Sequence, residues 1–141
     1  DDNSLWRMAK MLELKEKMIK LGKNIALQGE LIGAGINGNL YGLSDHKLFF
    51  FTGYDIDKGR RMFFDELEWL LFRFDVPMVP VLEKYGYVLP NENLVDNMLK
   101  YAEGKSVLNA DVDREGVVVR GLEREFSFKA ISNTYLLGSK E

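Results

Sequence analysis

Residues 28–38 read Gln28-Gly29-Glu30-Leu31-Ile32-Gly33-Ala34-Gly35-Ile36-Asn37-Gly38, and the role of these glycines decides between two folds. Gly33, Gly35 and Gly38 fit the spacing GxGxxG, the phosphate-binding turn of a doubly wound parallel sheet. That turn has to open a helix directly. Here Asn39-Leu40-Tyr41-Gly42 follows, a poor helix start, so the stretch reads as a loop in which glycines free the backbone. Upstream, Asn24 to Ile32 alternates, with Ile25, Leu27, Gly29 and Leu31 on one side and Ala26, Gln28, Glu30 and Ile32 on the other. This period of two predicts a strand that leaves Glu30 on a face of its own.

Working outward, Leu5 to Leu21 predicts one helix, with Lys10, Glu13, Glu16, Lys17 and Lys20 on a charged arc. Its apolar arc is wide, holding Leu5, Met8, Met11, Leu12, Leu14, Met18, Ile19 and Leu21, and Gly22 serves as its C-cap. Leu48 to Ile56 predicts an aromatic strand with a bulge at Thr52-Gly53. Arg61 to Phe74 predicts a helix ended by Asp75-Val76-Pro77, Met78 to Leu82 a short strand, and Glu92 to Glu103 a second helix stopped by Gly104. Gly116 to Leu122 and Phe126 to Ile131, separated by Glu123-Arg124-Glu125, predict a hairpin, and a further helix starts at Asn133. Without regular βαβ spacing, this order predicts an α+β fold of antiparallel sheets packed with helices.

The 141 residues bound the chain to one domain, 1–141, and its 46% apolar content is enough for a core. With no Cys and one His, disulfides, thiolate zinc sites, Cys nucleophiles and multi-His metal centres are excluded. The net charge of −3 argues against an unspecific, whole-surface nucleic-acid binder while leaving room for a local basic cleft. The longest apolar stretch, Leu67 to Val81, is interrupted by Glu68, Arg73 and Asp75, so no transmembrane helix is expected. The acidic start, unlike a signal peptide, makes the cytoplasm the expected location.

Three side chains invite chemistry. Glu30 and Glu115 each stand at a strand end beside a glycine that would let a ligand approach. Each suits a ribose hydroxyl or a hard metal ion, or is simply solvated. Lys129 alternates with Phe128 and projects as a lone cation from a hydrophobic strand, as phosphate binding or protection of a sheet edge would require.

Taken together, these places resemble the adenylyltransferase domain of ATP-dependent polynucleotide ligases and capping enzymes, and the RNA ligases most closely. The glutamate strand resembles Gly29-Glu30-Leu31, followed by the loop Gly33 to Gly38; the FxxFDI strand resembles Phe51-Thr52-Gly53-Tyr54-Asp55-Ile56. The EGxVxR/K strand resembles Glu115-Gly116-Val117-Val118-Val119-Arg120, and the lysine strand resembles Phe128-Lys129-Ala130. No Lys-X-Asp-Gly, the family's nucleophile motif, occurs in the chain, and Ile131 stands where many relatives carry a second Lys.

The resemblance implies a nucleotidyltransferase fold with a nucleotide pocket between two antiparallel sheets, in a domain truncated at its N-terminus. It implies that Glu30 holds the ribose and Phe51 stacks on adenine, with Gly33 and Arg120 also at the nucleotide. Glu115 would bind Mg2+ or Mn2+ and Lys129 would neutralise the α-phosphate, these two being the catalytic pair. ATP, giving AMP, is then the cofactor, and nucleic-acid ends, RNA before DNA, are the partners together with the missing N-terminal segment. The implied parent enzyme is an RNA ligase acting through lysyl-adenylate and adenylylated 5′-phosphate intermediates. The alternatives are a non-catalytic nucleotide-binding module and a fragment of an ATP-dependent DNA ligase.

Overall fold

A computed structural model describes residues 3–85, 92–122 and 125–138. The chain divides into two compact units, Asp1–Val79 and Pro80–Glu141.

The first unit starts with two short helices, α1 (Ser4–Met11) and α2 (Leu14–Leu21), where periodicity predicts one. The break is at Glu13, which takes a left-handed conformation at φ 51°. No glycine or proline marks it. Its effect is on packing: Met8 is buried and Leu12, Leu14, Met18 and Leu21 pack against the same core, while Leu5, Met11 and Ile19 stay exposed. The side chain of Asn3 caps α1 by accepting from the Trp6 N–H at 2.9 Å, and Gly22 ends α2 in the left-handed conformation as expected.

Three antiparallel strands follow in the order β1 (Ile25–Ile32), β2 (Lys47–Asp55) and β3 (Arg60–Arg61). Ile25 is buried on one face of β1, and Ala26, Gln28 and Glu30 are exposed on the other, which is the predicted alternation. Gln28 pairs with Thr52 but Gly29 pairs with Phe50, so Phe51 is the extra residue of a bulge. The bulge lies one residue before the Thr52-Gly53 position expected from the glycine.

Helix α3 (Phe64–Phe74) buries Leu67, Leu70, Leu71 and Phe74 against Leu48 and Phe50 of β2. It begins three residues later than its periodicity predicts, because Arg60 and Arg61 are drawn into β3 opposite Asp55 and Tyr54. Glu66 then sets the first turn, accepting from the Phe63 N–H at 2.8 Å and from both terminal nitrogens of Arg60 at 2.8 Å. The predicted strand from Met78 to Leu82 reduces to a single parallel bridge between Phe50 and Met78. Pro77 and Pro80 flank it and have no N–H to extend a ladder.

The second unit is a helix over a hairpin. Helix α4 (Leu94–Ala102) places Met98 and Ala102 on Val117 and Ala130 of the antiparallel pair β4 (Gly116–Arg120) and β5 (Ser127–Ile131), with Tyr101, Val119 and Phe128 around them. A short helix α5 (Asn133–Gly138) follows β5. The hairpin is the predicted one; Glu123 and Arg124 of its turn lie outside the described residues.

Candidate functional site

In the first unit the candidate residues belong to the outward face of β1 and β2. Glu30 pairs with Phe49 and is exposed. Phe50 points into the core, so alternation turns Phe51 outward, and the bulge adds Thr52 to the same face beside Gln28. Phe51 is half-buried, an aromatic face held at the one irregular point of the sheet.

Gly33 ends β1 at φ 130°, and a Cβ there would sit 2.4 Å from the Asp45 carbonyl oxygen. The strand can leave the sheet here only without a side chain. The loop that follows is closed internally. His46 Nε2 lies 2.7 Å from the Ala34 carbonyl, and the Asn39 side chain donates to the Leu43 carbonyl and accepts from the Leu43 N–H, both at 3.0 Å. Asn37–Asn39 forms only a single 3-10 turn, so no helix N-terminus stands behind the glycines and the dinucleotide-fold reading is excluded.

In the second unit Glu115 and Lys129 are brought together. Val117 pairs with Ala130 and Val119 with Phe128 on the core face, which puts Lys129, opposite Val118, on the other face with Arg120. Strict alternation from Val117 would send Glu115 to the core side. Gly116, at φ 155°, turns the entry to β4 instead, and Glu115 Oε1 accepts from Lys129 Nζ. A Cβ on Gly116 would lie 2.1 Å from the Ala130 carbonyl oxygen. The space expected to admit a ligand beside this glycine is thus taken by the neighbouring strand. Lys129 is likewise corrected from a lone cation to half of an ion pair, its side chain 45% and that of Glu115 41% exposed.

Residues not singled out in the sequence frame this pair. Arg114 closes the end of α4, donating from Nε to the Ala102 carbonyl at 2.9 Å and from Nη2 to the Tyr101 and Glu103 carbonyls at 2.6 Å each. The Glu103 carboxylate accepts from Ser132 Oγ at 2.8 Å and from the Asn133 N–H at 2.7 Å. The Ser132 hydroxyl, foremost among these, holds the Glu103 carboxyl below the usual carboxylate range. Ser132 Oγ also accepts from the Tyr135 N–H at 3.1 Å, a helix cap that Ser-Asn-Thr before Tyr135-Leu136-Leu137 could have announced.

Among the described residues no three or more His, Asp or Glu side chains cluster as a metal cage. Glu115 alone fits a different pattern, in which a hard cation takes one carboxylate and completes its shell with phosphate oxygens and water. No helix among the described residues is long and apolar enough to cross a membrane.

With its α+β fold in view, the chain as a whole matches a known class. The RNA ligase family model matches residues 1–131, and the chain belongs to that family. A search of curated proteins found no match. Among solved structures, the chain is similar to the Naegleria gruberi RNA ligase with PPi, at 36% identity and TM-score 0.88, over 99% of this chain and 42% of that one. It is equally similar, at 35% identity and TM-score 0.88, to a Glu-to-Ala variant of that ligase with ATP and Mn, over 100% of this chain and 43% of the other. A Lys-to-Met variant with AMP and Mn gives 36% identity and TM-score 0.88, over 99% and 43%. The chain therefore spans less than half the length of the ligases it matches.

Proposed function

We propose that the chain supplies the nucleotide- and metal-binding part of an ATP-dependent RNA ligase that joins nucleic-acid ends through a lysyl-adenylate and an adenylylated 5′-phosphate. The observation that carries this reading is the Glu115–Lys129 pair, formed on the face of β4 and β5 turned away from the core. Together the two side chains offer an anionic oxygen to a cation and an ammonium to a phosphate.

Nucleotidyl transfer asks for positioning and for positive charge against the oxygens around phosphorus. Lys129, as a compact ammonium with three donors, suits the α-phosphate. Glu115 suits Mg2+ or Mn2+, which when bound would neutralise phosphate charge. Phe51 presents the flat apolar face that stacking on adenine needs, and Glu30 is an acceptor for ribose hydroxyls. Arg120 shares the Lys129 face of the hairpin and is assigned to the phosphates as well. Gly33 is assigned to the nucleotide as well. RNA ends, before DNA ends, are the assigned substrate, in keeping with the family's name.

No Lys-X-Asp-Gly occurs in the chain, so by itself it binds ATP without capturing AMP covalently. Equilibrium binding of ATP with Mn2+, together with α-labelled ATP, tests this. Reversible binding, weakened in Glu115→Gln and Lys129→Met, is the expected result. No binding at millimolar ATP, or a covalent adenylate on this chain, would contradict it.

A further inference from the structure

Glu103 hydrogen-bonds neither side chain of the ion pair, yet a ring of bonds runs from it through the backbone of Glu115 and passes three residues from Lys129. Its backbone carbonyl accepts from Arg114, whose neighbour in the chain is Glu115. The Glu115 carbonyl accepts from the Ser132 N–H at 2.9 Å, and the Ser132 hydroxyl returns to the Glu103 carboxylate at 2.8 Å. Lys129 stands three residues before Ser132. The ring therefore ties Glu115, at the entry to β4, and Ser132, just past the strand β5 that carries Lys129, to the residue that ends α4.

Ser132 is fully buried, which makes Glu103 the acceptor its hydroxyl cannot replace with water. The carboxylate also takes the Asn133 N–H, one of the donors that the first turn of α5 leaves without a partner inside the helix. A single side chain thus satisfies the buried hydroxyl and the helix start while Arg114 fixes its backbone.

We propose that Glu103 is the positioning residue of the Glu115–Lys129 pair, setting the separation at which the carboxylate and the ammonium address cation and phosphate. This rests on the reading of those two residues as cation and phosphate ligands. Glu103 itself contacts neither ligand. Its action runs through Ser132 and Arg114, and a displacement of either strand end by a fraction of an ångström changes the geometry offered to the nucleotide.

The test compares Glu103→Ala and Glu103→Gln in the 141-residue chain, the second keeping a carbonyl for the Asn133 N–H. Two readouts are taken well below each melting temperature: the ¹⁵Nζ signal of Lys129 without ligand, and the dissociation constant of ATP with Mn2+. The alanine variant is expected to shift the Lys129 signal and to weaken ATP about tenfold, with partial recovery in the glutamine variant. A role confined to stability would lower the melting temperature and leave the Lys129 signal and the affinity within twofold of the parent; that result overturns the proposal. Should Glu103→Ala fail to fold, Glu103→Gln decides by the same criteria. Should the parent chain bind no ATP, the functional reading fails, and the Lys129 signal still decides whether Glu103 positions the pair.

Discussion

Lys129 and Glu115, 14 residues apart in sequence, form an ion pair between β5 and the entry to β4. More than two fifths of each side chain is exposed, so the pair adds little to folding, about 0–1 kcal/mol. Its value lies in what the two charges hold ready. Lys129→Met is therefore expected to leave the denaturation midpoint nearly unchanged and to weaken ATP binding about tenfold, the loss of one charge-assisted hydrogen bond. A large drop in stability with unchanged ATP affinity would reverse this assignment.

Gly116 is what lets Glu115 reach that lysine. Gly116→Ala would drive a Cβ into the Ala130 carbonyl and demand a φ that L residues rarely adopt, so a loss of about 3 kcal/mol or more is expected in urea unfolding. Gly35→Ala has a positive φ of 76° but open space around it, and is expected to lose only about 1 kcal/mol. Equal losses at the two positions would show that crowding against β5 is not the constraint.

The helix break at Glu13 gives a prediction of opposite sign. Glu13 sits at φ 51°, where a side chain is disfavoured and glycine is not. Glu13→Gly is expected to stabilise the chain by about 0.5 kcal/mol, the relief at the break exceeding the entropy lost by glycine on folding. In a continuous helix the same substitution would destabilise by about 1 kcal/mol, so the sign of the change in melting temperature decides.

Acid should expose a third contact. Arg60 and, less strongly, the Phe63 N–H hold the Glu66 carboxyl down to about 2. A depressed pKa gives stability that is complete above the ordinary carboxylate value and lost as the proton binds, here between about pH 4.5 and pH 2. Discounted for partial exposure, the loss is of order 1 kcal/mol, and Arg60→Met should flatten this part of the stability–pH profile. An unchanged profile in Arg60→Met would assign the acid sensitivity elsewhere.

Some of this was legible in the residues. The alternation around Glu30 and around Lys129 places both side chains on outward faces, because a strand's period of two leaves no other choice once Ile25 and Phe128 are packed inside. The glycine loop is separated from a dinucleotide turn by Asn39-Leu40-Tyr41-Gly42, and the structure has no helix behind it. What periodicity could not carry is where local order breaks. Glu13 is a good helix former, and its left-handed turn answers to the packing of Leu12 and Leu14 on a common core. The bulge at Phe51 is a matter of register against β1, and the Glu103–Ser132 contact spans 29 residues, beyond the reach of any local pattern. The Glu115–Lys129 contact goes beyond the sequence, since the resemblance assigns each residue a role without pairing them and alternation alone sends Glu115 to the core side.

The central claim is that Glu115 and Lys129 together address the cation and phosphate of a nucleotide. The most direct measurement is an NMR titration of the labelled 141-residue chain with ATP and Mg2+, read at the Glu115 carboxylate and Lys129 Nζ. Both are expected to shift together along one saturable curve. Both signals unchanged at millimolar ATP, while the rest of the spectrum stays that of a folded protein, would contradict the claim.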